Sequence, residues 1–378
     1  MVFHSYERNR TMTATIARKR KSSGIAMPID SLRKALAAVR AAVPNRSPKP
    51  ILLNVLLANG GITASDLELQ VSAEVPYTDA PLLLPFGRLQ AILGAASGDE
   101  VTLTPGDTSC TVAVGGGTWT LPTEDAAEFP QWEPPTVKPI CRIPADQFVR
   151  AVKAVAYATD TDSSRFALGA VLVEVKDGTV TLVGTDGRRL SSYGIEVDQA
   201  VDDSTTLIPA RAILTISSIA SHSEGAVQLE ATSSEVVATI DGTVVTARLV
   251  EGRFPRWRDV IPERDAKASL VNGAELLAAT RQAAIVTSEQ SKGVTFAFVE
   301  NGIHLTAQSA EAGQSSVTCG LLEAGQTASV ALDPGFVVEF LRGVDEAEPV
   351  EVEAVDAQSA VVFRCGDCTG VVMPLAKD

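Results

Sequence analysis

Apolar residues return at spacings of three and four in three separated stretches, and each reads as an amphipathic helix. Leu32, Leu36 and Val39 mark the first, over residues 31–43, and Phe148, Val149, Val152 and Val155 the second, over 146–158. Leu276, Leu277 and Ala284 mark the third, over 273–287. Asp30 or Ser31 stands where a cap for the first helix is expected. After each helix the period changes to two. The runs 51–58 and 62–75 flank Gly60-Gly61, 170–175 and 179–182 flank Asp177-Gly178, and 294–299 and 303–307 flank Asn301-Gly302. Asp-Gly and Asn-Gly between alternating apolar residues predict hairpins. Second, shorter helices are expected at 86–93, 210–219 and 335–342, each followed by three or four short strands.

The plan repeats. Pro85 is followed 124 residues later by Pro209 and another 125 later by Pro334, while Phe129-Pro130-Gln131-Trp132 recurs after 125 residues as Phe254-Pro255-Arg256-Trp257. Asp66 and Asp186 lie 120 apart. The chain therefore reads as three copies of an α+β unit, each made of two half-units in which a helix covers a sheet. The expected domains are 24–138, 139–264 and 265–378, with linkers at 133–139 and 262–267, both rich in Pro or charge. Residues 1–23 form a basic extension, with Arg18-Lys19-Arg20-Lys21 but without the apolar stretch of a secretion signal. This segment is expected to be disordered and stands outside the fold.

Composition narrows the function classes. With 45% hydrophobic and 21% charged residues in 378, the chain folds and buries several cores. No apolar stretch approaches the roughly 20 residues of a membrane span. The net charge is −14, and six of the basic residues sit in the first 25, so the remainder is more acidic still. Such a surface is a poor coat for DNA, because phosphate neutralisation drives non-specific binding. Any DNA contact must be local or topological. Five scattered cysteines do not form a secreted disulfide pattern, and a reducing cytoplasm is expected. His4, His222 and His304 have no catalytic spacing. Cys365-Gly366-Asp367-Cys368 is a single pair without the further ligands zinc requires, and it reads as a turn between strands. Gly115-Gly116-Gly117 lacks the Lys-Ser or Lys-Thr of a phosphate loop. No catalytic residue, metal or cofactor is expected.

Several stretches resemble the bacterial β sliding clamp family, the β subunit of DNA polymerase III. They are Thr185-Asp186-Gly187-Arg188-Arg189-Leu190, Gly252-Arg253-Phe254-Pro255-Arg256-Trp257-Arg258-Asp259-Val260-Ile261-Pro262 and Val371-Val372-Met373-Pro374-Leu375. Pro50-Ile51-Leu52 and Ser65-Asp66-Leu67-Glu68 add to them, and the likeness covers roughly residues 24 to 378. The resemblance implies a homodimer joined head to tail, with six domains in a ring around double-stranded DNA of any sequence. It also implies a non-catalytic processivity factor that tethers the replicative DNA polymerase, the clamp loader and other clamp-motif proteins of replication and repair. These partners would insert an extended apolar peptide between the second and third domains.

Carried over by motif, the cleft walls are Leu168, Thr185, Gly187, Leu190, Pro255, Val260, Phe336, Val371, Val372, Met373, Pro374 and Leu375. Arg165, Arg188, Arg189 and Asp259 edge it. Arg188 replaces the family's usual His, and Asp259 stands where Arg is common, so a shifted peptide preference that disfavours acidic ligand residues is expected. The resemblance places Arg33, Lys34, Arg40, Arg46, Arg88, Arg150, Lys153, Arg211 and Arg281 toward the DNA, and Ile285 and Val286 at the subunit contact. Two other readings stand beside it: a repeat scaffold that binds only proteins, which would lack retention on circular DNA, and a thiol or zinc enzyme built on Cys365 and Cys368.

Overall fold

The computed structural model describes residues 24–130, 132, 136–161, 166–197, 202–263, 266–288, 292–345 and 347–376. The N-terminal extension, part of the expected 133–139 linker, part of the 262–267 linker and Arg165 lie outside the described residues. Among the described residues six helices follow the repeat: α1 Ile29–Val39, α2 Phe86–Ala95, α3 Ala145–Val155, α4 Ala210–Ala220, α5 Gly273–Ala283 and α6 Pro334–Gly343. α1, α3 and α5 each run into a single 3-10 turn, Arg40–Ala42, Ala156–Ala158 and Ala284–Val286. Helix and turn together span the periodic stretches read from the sequence.

The first helix begins earlier than its polar residues suggest. Pro28, at the end of strand Ile25–Pro28, is its N-cap, and no side chain caps it. Ile29 is buried and its N–H donates to the Asp99 carbonyl at 3.0 Å, so burial of that side chain, not the capping ability of Asp30 or Ser31, sets the start. Asp30 instead pairs with Arg33 one turn on, at 3.3 Å. Pro is likewise the N-cap of α2, α3 and α4, whereas α5 and α6 are capped by the side chains of Asn272 and Asp333.

Two expected strands are also corrected. Residues 51–53 belong to a 3-10 turn, Pro50–Leu53, and the strand is Asn54–Ala58. The run 62–75 is two strands, Gly61–Ser65 and Leu69–Glu74, folded about Asp66. The Asp66 carboxylate accepts the N–H groups of Glu68 and Leu69 at 3.0 and 2.8 Å. Asp186 does the same for Arg188 and Arg189 at 2.8 and 3.0 Å. The repeated aspartates are therefore corner residues whose side chains replace a backbone turn.

The strands form two eight-stranded and two four-stranded antiparallel sheets. Each large sheet joins two units. Leu69–Glu74 of the first pairs with Thr243–Arg248 of the second, with Val71 opposite Val245. Arg189–Glu196 of the second pairs with Cys368–Val372 of the third, with Leu190 opposite Val371. The small sheets end on unpaired edges, Gly117–Pro122 in the first unit and Gly313–Cys319 in the third. Helices pack on one another within each unit, and α3 also packs on α6. Close approach there depends on Gly343, whose position faces Ala154 and Tyr157 with no room for a side chain to be added freely.

Candidate functional site

The Asp186 corner begins the site. Gly187 adopts φ +87°, which a residue without Cβ takes without strain. The Thr185 hydroxyl donates to the Arg189 carbonyl at 2.6 Å and accepts from the Gly187 N–H at 3.1 Å, so the loop is held from inside. Leu190 then turns inward and packs with Leu172, Val183, Trp257, Val362 and Val371 in an apolar cluster separate from the main core. This cluster is the floor. Above it, Val260 is 43% exposed and Met373 40% exposed. The Met373 N–H donates to the Arg188 carbonyl at 2.9 Å, which fastens the last strand to the corner. Between them lies a cleft of about 90 Å³ lined by Thr185, Gly187, Arg188, Arg189, Leu190, Pro255, Trp257, Val260, Val371 and Met373.

Other expected cleft residues are not part of this cavity's lining. Val372 is buried in the main core, because adjacent residues of a strand face opposite sides of the sheet and Val371 takes the cleft side. Leu168 sits half-buried in the turn Phe166–Gly169, where its carbonyl accepts the Asp160 N–H at 2.9 Å. Pro374 and Leu375 follow the cleft, with the Leu375 N–H donating to the Ala331 carbonyl at 2.8 Å. Asp259 is exposed and borders a neighbouring, larger cleft.

The two arginines of the motif divide their work. The Arg189 guanidinium pairs with Asp186 at 3.1 Å and with Glu339 of α6, and donates to the Tyr157 carbonyl at 2.6 Å. It also lies over the Phe336 ring at 4.4 Å and the Tyr157 ring at 5.4 Å. Arg189 is thus a strut between the second and third units. Arg188 stays exposed, its guanidinium 5.4 Å from the centre of the same Phe336 ring. Phe336 therefore acts as a platform beneath the two arginines.

Trp257 is a floor residue that motif transfer overlooked. It is buried, the Arg258 guanidinium covers its ring at 4.1 Å, and its indole N–H is enclosed without an acceptor among the described residues. The signal was present in the recurrence of Phe-Pro-x-Trp in two units.

The expected DNA-facing cations also separate. Arg33 is committed to α2, donating to the carbonyls of Leu93 at 2.6 Å and Ala96 at 2.8 Å. Arg211 bridges the first two units, pairing with Asp66 and donating to the Ala41 carbonyl at 2.7 Å. Arg150 pairs with Asp146 at 2.8 Å, and Arg40 stacks over Phe86 at 5.5 Å. Lys34, Arg46, Arg88, Lys153 and Arg281 are exposed. At the expected subunit contact, Ile285 is 77% exposed, whereas Val286 turns toward the core. Cys365 and Cys368 face each other across a hairpin. Burial pushes their thiols up to about 11 and about 12, which keeps both protonated and poorly nucleophilic near neutral pH.

Comparison with known proteins agrees with this geometry. Residues 142–256 match the family model "DNA polymerase III beta subunit, central domain", and 258–375 match its C-terminal domain. The beta sliding clamp of Haemophilus influenzae is 24% identical over 92% of this chain and 98% of its own length. That of Escherichia coli K12 is 25% identical over the same shares. The Pseudomonas aeruginosa sliding clamp bound to griselimycin superposes with a TM-score of 0.88 at 22% identity, covering 94% of this chain and all of that one. The Thermotoga maritima beta subunit gives 0.86 at 21% identity, over 94% of this chain and all of that one. This chain belongs to the DNA polymerase III beta subunit family, the beta sliding clamps.

Proposed function

We propose that two copies of this chain close head to tail around duplex DNA and hold a polymerase there as a non-catalytic processivity factor. The observation that carries this reading is the arrangement of sheet edges. Inside the chain, four-stranded halves join across both unit junctions into eight-stranded sheets, and one half-sheet remains open at each end. Joining Gly117–Pro122 of one copy to Gly313–Cys319 of another repeats the same junction, and two such joints close a ring of six units. The three units, taken as 24–138, 139–264 and 265–378, are its domains. Lys34, Arg46, Arg88, Lys153 and Arg281 supply mobile phosphate contacts without reading sequence. The cleft takes the apolar anchor of an extended peptide from the replicative polymerase, the clamp loader or another clamp-motif protein. Among the described residues no helix is long and apolar enough to cross a membrane. The proposed work on bacterial chromosomal DNA places the protein in the cytoplasm.

A labelled Gln-Leu-Ser-Leu-Phe peptide titrated against the protein tests the cleft. Saturable binding that Met373→Asp abolishes is expected, since the substitution puts a carboxylate into the apolar wall. Binding unchanged by Met373→Asp would remove the cleft from the proposal.

A further inference from the structure

In all three units the residue two places before the cap of the second helix turns its carbonyl outward from a sheet edge, and the chain's own return segment covers it. The Leu83 carbonyl accepts from the Thr123 hydroxyl at 2.8 Å, the Leu207 carbonyl from the Val250 N–H at 3.0 Å and the Ala331 carbonyl from the Leu375 N–H at 2.8 Å. In the first unit Phe129 completes the cover, buried against Leu56 and Leu83. The second unit is different. Its equivalent, Phe254, is only half-buried and packs with Leu207 against the separate apolar cluster of Leu172 and Trp257. A cleft of about 1060 Å³ lies between strand Ser204–Pro209 and the turn that carries Ser233.

The strand edge facing this cleft is incompletely used. Alternate residues of an antiparallel strand direct both N–H and C=O to the same edge. The outward carbonyl of Leu207 therefore places the backbone groups of Thr205 outward as well. Among the described residues, no backbone hydrogen bond from the return segment reaches Thr205. Pro255 and Trp257 line both this cleft and the apolar one, so the two are neighbours on either side of one partition. Arg253 and Arg256 are balanced along the wall by Glu235 and Glu251, which leaves no net charge to select an acidic or basic ligand.

We propose that this cleft is a second docking groove, in which the extended polar stretch flanking a partner's apolar anchor adds as a strand to the free edge of Ser204–Pro209. The inference rests on the cleft reading above. Strand addition needs main-chain groups alone, so the groove accepts flanks of many sequences while the apolar cleft supplies selectivity.

The full chain is titrated with labelled Gln-Leu-Ser-Leu-Phe and with the same peptide lengthened at either end by eight alternating Thr and Ser residues. One lengthened peptide is expected to bind about tenfold more tightly than the short one. Thr205→Pro, which removes an outward N–H, and Ser233→Trp, which fills the groove from an exposed turn, should each erase that gain and leave the short peptide's affinity unchanged. Amide exchange at Thr205 should slow only with the lengthened peptide. The groove is overturned if neither extension tightens binding, or if the gain survives Ser233→Trp without protection of Thr205. If the short peptide itself does not bind, the cleft reading and the groove fall together, and that outcome is distinct from the first.

Discussion

Adjacent in sequence and alike in chemistry, Arg188 and Arg189 differ because the Asp186 corner sends one side chain out and the other inward. Removing Arg189 leaves Glu339 and the Tyr157 carbonyl without their partner. Breaking a fully buried pair costs roughly 3–5 kcal/mol, but Glu339 is partly open to water, so Arg189→Ala should lower unfolding free energy by about 2 kcal/mol in urea denaturation. Arg188→Ala should cost under about 0.5 kcal/mol, as an exposed site usually does, and should act on peptide affinity instead. A larger loss from Arg188→Ala than from Arg189→Ala would reverse the assignment. Motif spacing made both residues legible but not this division, because spacing records which residues share a loop and not which carbonyls and rings wait across a domain junction. Val372 and Arg33 show the same limit: strand parity sends Val372 to the core, and the carbonyls at the end of α2 accept from Arg33, neither of which spacing records. The thiols give a further residue-scale expectation. Cys110, Cys141, Cys319, Cys365 and Cys368 are all buried, and burial raises each to about 11 or 12. A raised thiol keeps its proton in the folded chain while the unfolded thiol loses it near pH 8.5–9. Their contribution to stability is complete below that pH and is lost as pH rises through 11 to 12. The urea midpoint should therefore be flat from pH 7 to 8.5 and fall above 9. A midpoint that rises above pH 9 would contradict it.

Element boundaries were legible where apolar periodicity decided them and illegible where a neighbouring strand did. The six helices sit within a few residues of their expected positions, yet α1 starts at Ile29 because the preceding strand delivers it there already buried. The Asp66 and Asp186 corners show a related limit: the repeat exposed their equivalence, but only the backbone reveals that each is a corner between two strands, which for Asp66 splits the expected run 62–75. At the edges the same physics predicts assembly. Gly117–Pro122 presents Trp119, 37% exposed, and the 3-10 turn holding Ile285 packs beside Gly313–Cys319. An exposed strand edge flanked by large apolar side chains is a pairing surface unless it is covered. Ile285→Asp should place a charge in that joint and convert the dimer to a monomer in sedimentation, with circular dichroism unchanged. Trp119→Asp, on the opposing edge, should act likewise. If both variants keep the wild-type mass, the joint lies elsewhere.

At the scale of the whole molecule, a chain of net charge −14 that acts on a polyanion needs either a local basic patch or enclosure, and the proposed ring supplies the second. Four of the nine candidate cations, Arg33, Arg40, Arg150 and Arg211, are engaged by carbonyls, carboxylates or an aromatic ring, and Lys34, Arg46, Arg88, Lys153 and Arg281 are the five exposed ones left to meet phosphate first. Each phosphate contact contributes about −0.9 to the slope of log affinity against log salt for duplex DNA. An electrostatic grip of this size would therefore weaken by orders of magnitude between low and physiological salt. A closed ring behaves differently, because escape from circular DNA requires breaking a sheet joint and not merely releasing counterions. Protein loaded onto nicked circular DNA should thus show a dissociation rate that changes little with salt, while linearising the same DNA should release it within the dead time of gel filtration. Ile285→Asp should abolish retention on the circle, since the ring cannot close. Equal, steeply salt-dependent loss from circular and linear DNA would mean that the contact is electrostatic after all, and the open sheet edges would then serve some purpose other than closure.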